Sequence, residues 1–232
     1  MHRHRFDLLL VALAVFLLSV PLTHAFAHSL RVTNFVLAVF MVALLISAVF
    51  AVSQSRRTVI VALLLVAPSI VLRFLNLVMQ SEGVLALEHL LECLFLGYVV
   101  CVLLKHVFEA ERVSHNTICA ALCTYLLLGL LWAMVYSAVD YVQPGSFRFP
   151  LLDENVEGAM RFSDTRAVFP IYFSFVTLTT LGYGDIVPVS ASARMLATME
   201  ALMGQLYLAV LVARLVGMQV SQRMLDKKDR SS

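Results

Sequence analysis

Charged side chains are scarce in this sequence. Of its 232 residues only 14% are Asp, Glu, Lys or Arg, while 61% are hydrophobic; a soluble domain carries about a quarter charged residues. Most of the surface must therefore face something other than water. The formal net charge of +2 gives no electrostatic basis for a nucleic-acid partner. Cysteine is sparse too. The four present (Cys93, Cys101, Cys119 and Cys123) all lie inside apolar runs and read as small buried side chains, with no zinc or disulfide framework suggested. Cys119 and Cys123 are one helical turn apart, close enough to share a ligand, yet packing is the simpler reading. No linker suggests a second soluble domain, no internal repeat is evident, and the charged run Ser221 to Ser232 is too short to hold a ligand-sensing domain.

What the sequence has in abundance is long apolar runs. A helix needs about 20 mostly apolar residues to cross a bilayer, and six stretches qualify: about 6–26, 34–53, 58–79, 84–107, 115–139 and 194–217. Short loops rich in Lys and Arg stay in the cytoplasm. With the N-terminus inside, that side carries Arg3, Arg5, Arg56, Arg57, Lys105, Arg112, Arg223, Lys227, Lys228 and Arg230. The opposite side carries Arg31, Arg148, Arg161, Arg166 and Arg194, three of them in one long loop where the rule counts least. Both termini are thus expected in the cytoplasm. Residues 1–27 admit a second reading, since His2-Arg3-His4-Arg5, an apolar run and Ala25-Phe26-Ala27 have the layout of a cleavable secretory signal. Either reading leaves the later helices in the same orientation.

After a long loop from about Asp140 to Phe169, the stretch Pro170 to Thr179 is apolar but, at about ten residues, too short to span. Pro170 suits the first turn of a helix. The stretch runs into Thr180-Leu181-Gly182-Tyr183-Gly184-Asp185, where alternating glycines oppose further helix. A chain that enters the membrane and then unravels is tolerated only where the bare backbone lines water or is buried in protein. Glycine readily adopts the positive φ angles that can bring successive carbonyls onto one axis. The carbonyls of Thr180, Leu181, Gly182 and Tyr183, with the Thr180 hydroxyl, are therefore expected to present stacked oxygens able to replace a cation's water shell. The Leu181 and Tyr183 side chains must then point away, with Tyr172 and Phe173 as plausible neighbours of Tyr183.

Thr180 to Asp185 resembles the selectivity filter of the potassium-channel family. The resemblance covers about Phe169 to Gly217: short pore helix, filter, Pro188 and an inner helix. It implies an all-α membrane protein of six transmembrane helices with a re-entrant pore helix and filter between the fifth and sixth, assembled as a four-fold symmetric homotetramer. Residues 1–112 then form four peripheral helices, 113–218 the pore domain and 219–232 a short cytoplasmic tail. K⁺ would be held at Thr180, Leu181, Gly182 and Tyr183, with Asp185, Tyr172, Phe173 and Thr177 bracing the filter and Gly204 as a hinge. Val176 departs from some bacterial relatives, which carry glutamate there. K⁺ is the transported ion, no other cofactor is implied, and accessory subunits are not specified. The compact chain suits a bacterial inner membrane.

Several residues outside the filter invite a role. Glu200, a carboxyl at membrane depth, is a functional candidate by default; it either hydrogen-bonds behind the filter, to Ser174 or Thr177, or lines the cavity. Arg214 is near the inner end of its helix, where it can snorkel to the interface or serve a gate. The fourth helix lacks the regular arginines of a voltage sensor. It offers Glu88, His89 and Glu92, and the economical expectation is that Arg73 on the third helix pairs with one of the acids, a metal site being the alternative. Competing classes are a cation transporter, disfavoured by a single intact filter in a short chain, a less selective cation channel, and a membrane enzyme or receptor. For the last, His24, His28, His89 and the intramembrane acids form no recognisable catalytic set.

Overall fold

A computed structural model describes residues 5–26, 30–52, 56–79, 82–110, 112–150, 162 and 168–229. The loop between Pro150 and Val168 lies outside these residues apart from Phe162, as do His2-Arg3-His4 and Ala27 of the signal-like start. Nearly everything described is helix, because uninterrupted apolar runs can satisfy their own backbone only by hydrogen bonding within the segment.

The helices are α1 (Arg5–Phe26), α2 (Leu30–Val52), α3 (Arg56–Met79), α4 (Glu82–Glu109) and α5 (His115–Val142), followed by strand β1 (Phe147–Arg148), helix α6 (Val168–Leu178), strand β2 (Val187–Pro188) and helix α7 (Ala191–Asp229). Among the described residues, α1, α3, α4, α5 and α7 each contain a stretch long and apolar enough to cross a membrane. In α2 the described apolar stretch is the shorter Val39–Ala51.

Local signals set the ends that matter for the site. Ser114 caps α5, its hydroxyl accepting from the Thr117 N–H at 3.2 Å, which satisfies one of the orphan donors of a first turn. At the other end the Gln143 N–H donates to Val139 O at 2.8 Å, so α5 runs through Asp140 and the following loop opens after Val142. The inner helix also outlasts its apolar run: α7 continues helically from Gly217 through to Asp229.

The helices pack as neighbours along the chain, α1 on α2 and α3 on α4, while α5 is flanked by α1, α4 and α6, and α7 closes over α6. Leu9, Leu13, Leu44, Leu45, Phe95 and Leu127 are fully enclosed. Large apolar side chains also face outward on most helices, among them Leu18, Phe50, Leu64 and Leu206. So much exposed apolar surface requires lipid or other subunits as its environment. Beyond α6, β1 and β2 pair antiparallel, with Phe147 opposite Pro188 and Arg148 opposite Val187. This short ladder ties the chain after α5 to the chain before α7.

Candidate functional site

The centre of the site is a stretch of backbone. α6 carries Pro170 in its first turn and stops at Leu178. The chain then folds back on the helix end. The Thr179 N–H donates to Phe175 O at 3.1 Å, Thr180 N–H to Thr177 O at 2.9 Å, Leu181 N–H to Val176 O at 2.9 Å, and Gly182 N–H to the same Val176 carbonyl at 3.4 Å. Carbonyls that the helix end would leave unpaired are satisfied, and the N–H groups of Thr179 to Gly182 turn towards α6.

Between Thr180 and Asp185 φ is positive at Thr180 (57°), Gly182 (61°) and Gly184 (77°), and at neither Leu181 nor Tyr183. Alternating left- and right-handed backbone directs successive N–H groups to one side; the same alternation sends the carbonyls to the other. With the N–H groups of Thr180 to Gly182 held by α6, the carbonyls of this run are expected on the opposite side. Glycine accepts such angles at little cost. Threonine does so rarely, and Thr180 is held from a second direction by Gln205 on α7, whose Nε2 donates to its Oγ1 at 3.2 Å. Leu181 and Tyr183 are exposed in the single chain.

The two aromatic residues read as neighbours of Tyr183 make the following contacts. The Tyr172 hydroxyl donates to Asp185 Oδ2 at 2.6 Å, and Asp185 Oδ1 accepts the Ile186 N–H at 3.0 Å. Phe173 lies edge-on to Tyr136 at 4.9 Å and to Phe147 at 5.2 Å between ring centroids, at the back of α6. Thr177 contributes its carbonyl to Thr180.

On α7, Glu200 is fully buried. The Tyr136 hydroxyl of α5 donates to its Oε2 at 2.5 Å. The Ser174 hydroxyl of α6 lies 2.5 Å from Glu200 Oε1 and 2.7 Å from Gly129 O. A hydroxyl has one proton to donate, so both Ser174 contacts form together when Glu200 carries a proton of its own. One carboxyl thereby joins α5, α6 and α7.

Two glycines make this closeness possible. A Cβ at Gly204 would lie 2.3 Å from the Leu178 carbonyl oxygen, and one at Gly129 would lie 2.8 Å from the Phe175 ring. The residue read as a hinge thus occupies the closest approach of α7 to the end of α6, within a continuous helix. Nearby, Tyr125 donates to Leu178 O at 3.4 Å and stacks on Tyr207, which donates to Ala121 O at 2.7 Å.

At the far end of the pore helices, Arg214 Nη2 donates to Ala110 O at 2.9 Å, in the turn between α4 and α5, and its guanidinium lies 5.5 Å from the Phe108 ring centre. In the peripheral helices, Arg73 reaches both acids of α4, Glu88 at 3.0 Å and Glu92 at 2.5 Å. Both carboxylates of the Glu88, His89 and Glu92 set are thus engaged by the guanidinium.

Tyr136, Gly129, Gln205, Tyr125 and Tyr207 were not apparent as site residues from the sequence. Gln205 had a usable signal, an amide beside Gly204 in an otherwise apolar helix; the tyrosines and Gly129 look like ordinary helix packing.

Residues 120–220 match the family described as ion channel. The chain is similar to two pore potassium channel b of Oryza sativa subsp. japonica, 39% identical over 74 residues, which make up 32% of this chain and 19% of that protein. It is similar to two pore potassium channel a of the same plant, 29% identical over 119 residues, 51% of this chain and 29% of the relative. It is also similar to the inward rectifier potassium channel Kirbac3.1 of Paramagnetospirillum magnetotacticum, 36% identical over 90 residues, 37% of this chain and 24% of the relative. The matched stretch is thus less than a third of the length of each of these relatives.

Proposed function

We propose that this chain, whose likeness to ion channels over residues 120–220 and to curated potassium channels supports a potassium-channel family, is one subunit of a potassium-selective pore that conducts K⁺ passively across a membrane. The observation that carries the reading is the backbone from Thr180 to Gly184: φ is positive at every second residue, and the N–H groups of Thr180, Leu181 and Gly182 bond back to α6, which leaves the carbonyls for a ligand. Carbonyl oxygens without neighbouring donors suit a cation, and rings of them can replace a hydration shell. The carbonyl end of α6 adds a partial negative charge below the filter, and Asp185 adds a full one at the opposite end.

One chain offers one wall of such a pore, so we infer closure by rotation into a homotetramer. The role is transport, with no chemical step and no organic cofactor. Retention of Gly182, Tyr183 and Gly184 favours K⁺ over a less selective pore. α4 has no regular arginines, and Arg73 on α3 is held by two carboxylates, which argues against gating through a standard arginine sensor. The distribution of Lys and Arg supports cytoplasmic termini, and we place the protein in a bacterial inner membrane.

The test is ion flux into liposomes holding the purified protein, beside Gly182→Ala. The expected result is K⁺ flux far above Na⁺ flux in the parent and loss of K⁺ flux in the variant, whose side chain meets the positive φ of residue 182. Equal K⁺ and Na⁺ fluxes would leave a channel and remove the selectivity.

A further inference from the structure

Outside the pore, one group of side chains has the composition of a metal site. Asp7 lies in the first turn of α1, while His115 and Cys119 are separated by one turn at the start of α5. Their potential ligand atoms all lie within 4.8 Å of one another. His115 Nδ1 is 3.4 Å from Asp7 Oδ1, and Cys119 Sγ is 3.5 Å from the same nitrogen. Tetrahedral zinc, with bonds of about 2.0–2.3 Å, spaces its donors roughly 3.3–3.7 Å apart, so both separations are those of adjacent ligands on one small ion.

The surroundings hold this arrangement and leave it open on one side. Cys123, one turn further along α5, donates its thiol to Phe6 O at 3.5 Å, and the Phe6 ring lies 5.0 Å from His106 of α4. The backbone next to Asp7 is therefore fixed against α5 before any ion arrives, which is what precise coordination requires. Cys119 is buried, Asp7 is about one-third exposed, and His115 is 75% exposed at its side chain, so an ion can enter from the aqueous end of the helices. The donors are one thiolate, one imidazole and one carboxylate. Mg²⁺ and Ca²⁺ take oxygen ligands, whereas this mixed set suits Zn²⁺ and its late first-row neighbours. Three protein ligands leave a fourth position for water.

We propose that Asp7, His115 and Cys119 form a binding site for a divalent transition metal that joins α1 to α5. Binding replaces the Cys119 S–H proton by a metal–sulfur bond and releases that proton to solvent. The site stands apart from the filter and does not depend on the pore reading.

Co²⁺ titrated into the detergent-solubilised, tag-free full-length protein tests it, because cobalt bound to thiolate absorbs in the near ultraviolet. The expected result is one Co²⁺ per chain with that absorption, its loss in Cys119→Ser, displacement by Zn²⁺, and an affinity at least about tenfold weaker in Asp7→Asn. His115→Ala gives a decision free of folding effects, since its side chain is largely exposed, and it too should weaken binding at least about tenfold. No thiolate absorption in the parent, absorption that survives in Cys119→Ser, or His115→Ala affinity equal to the parent would each overturn the site.

Discussion

Tyr172 and Asp185 show how much of the proposed pore's outer end depends on single residues. A hydrogen bond to a charged group contributes about 1.5–3 kcal/mol, and the one from Tyr172 is short, at 2.6 Å. Tyr172→Phe removes it while keeping the ring. The expected outcome is a K⁺-to-Na⁺ permeability ratio lower by roughly threefold to tenfold, since part of that energy no longer holds the filter's outer end. Reversal potentials in planar bilayers under bi-ionic conditions measure this; an unchanged ratio would mean that Asp185 is held without the phenol. The pairing was open to sequence reasoning only as far as residue choice. Tyr172 and Asp185 could each be named from the pore-loop pattern, but that they meet depends on how the chain turns after Leu178. That turn includes a threonine at positive φ, which intrinsic preferences argue against. Gly182 and Gly184 were legible because glycine advertises its freedom, whereas Thr180 gave no such signal.

Among elements, the junction of α5, α6 and α7 at Glu200 makes the sharpest prediction. Gln at position 200 can accept from Tyr136 and donate to Ser174, as a protonated carboxyl does. Glu200→Gln is therefore expected to keep the assembled protein and hold K⁺ flux within about twofold, because the hydrogen-bond pattern is conserved. Glu200→Leu leaves the Tyr136 hydroxyl buried without its acceptor, a cost of about 1–3 kcal/mol for such a group, and should lower the unfolding temperature and abolish flux. Thermal scans of the two variants in one detergent decide it. If Gln behaves like Leu, the arrangement in which a protonated Glu200 donates to Ser174 is wrong. An acid inside an apolar helix marks itself in the sequence, and Ser174 could be named because it belongs to the neighbouring pore helix. Tyr136 could not, being 64 residues away along the chain on a helix whose facing is set by packing. The helices themselves were readable because apolar runs are bounded by charges. The continuation of α7 to Asp229 was hidden, since hydropathy ends at Gly217 while Met, Leu, Gln and Lys still favour helix. The β1–β2 ladder was hidden as well: two-residue strands carry no periodicity.

For the whole molecule, the outward apolar residues of α7, such as Leu202, Leu206 and Val212, together with exposed Leu181 and Tyr183, call for neighbouring copies or lipid to cover them. If K⁺ occupies a site shared by four chains, it binds the assembly and not the separated subunit. A ligand at 100 times its Kd adds about 2.7 kcal/mol to the state it binds. The oligomer is accordingly expected to dissociate at a higher temperature in K⁺ than in Na⁺ at equal ionic strength, as read by native electrophoresis after heating. Identical dissociation in the two salts would count against a K⁺ site at the subunit junction. Assembly was legible only through the filter motif, because one chain's sequence contains no direct record of the partner surface. The contact of Arg214 with the α4–α5 turn has a mechanical consequence. α7 contains 39 residues, so at 1.5 Å per residue it is a rod of roughly 58 Å, of which roughly 22 Å extends past Arg214. The hydrogen bond to Ala110 would then be the fulcrum for any tilt of that rod against the peripheral helices. A tilt of about 10° there would sweep the free end through roughly 4 Å.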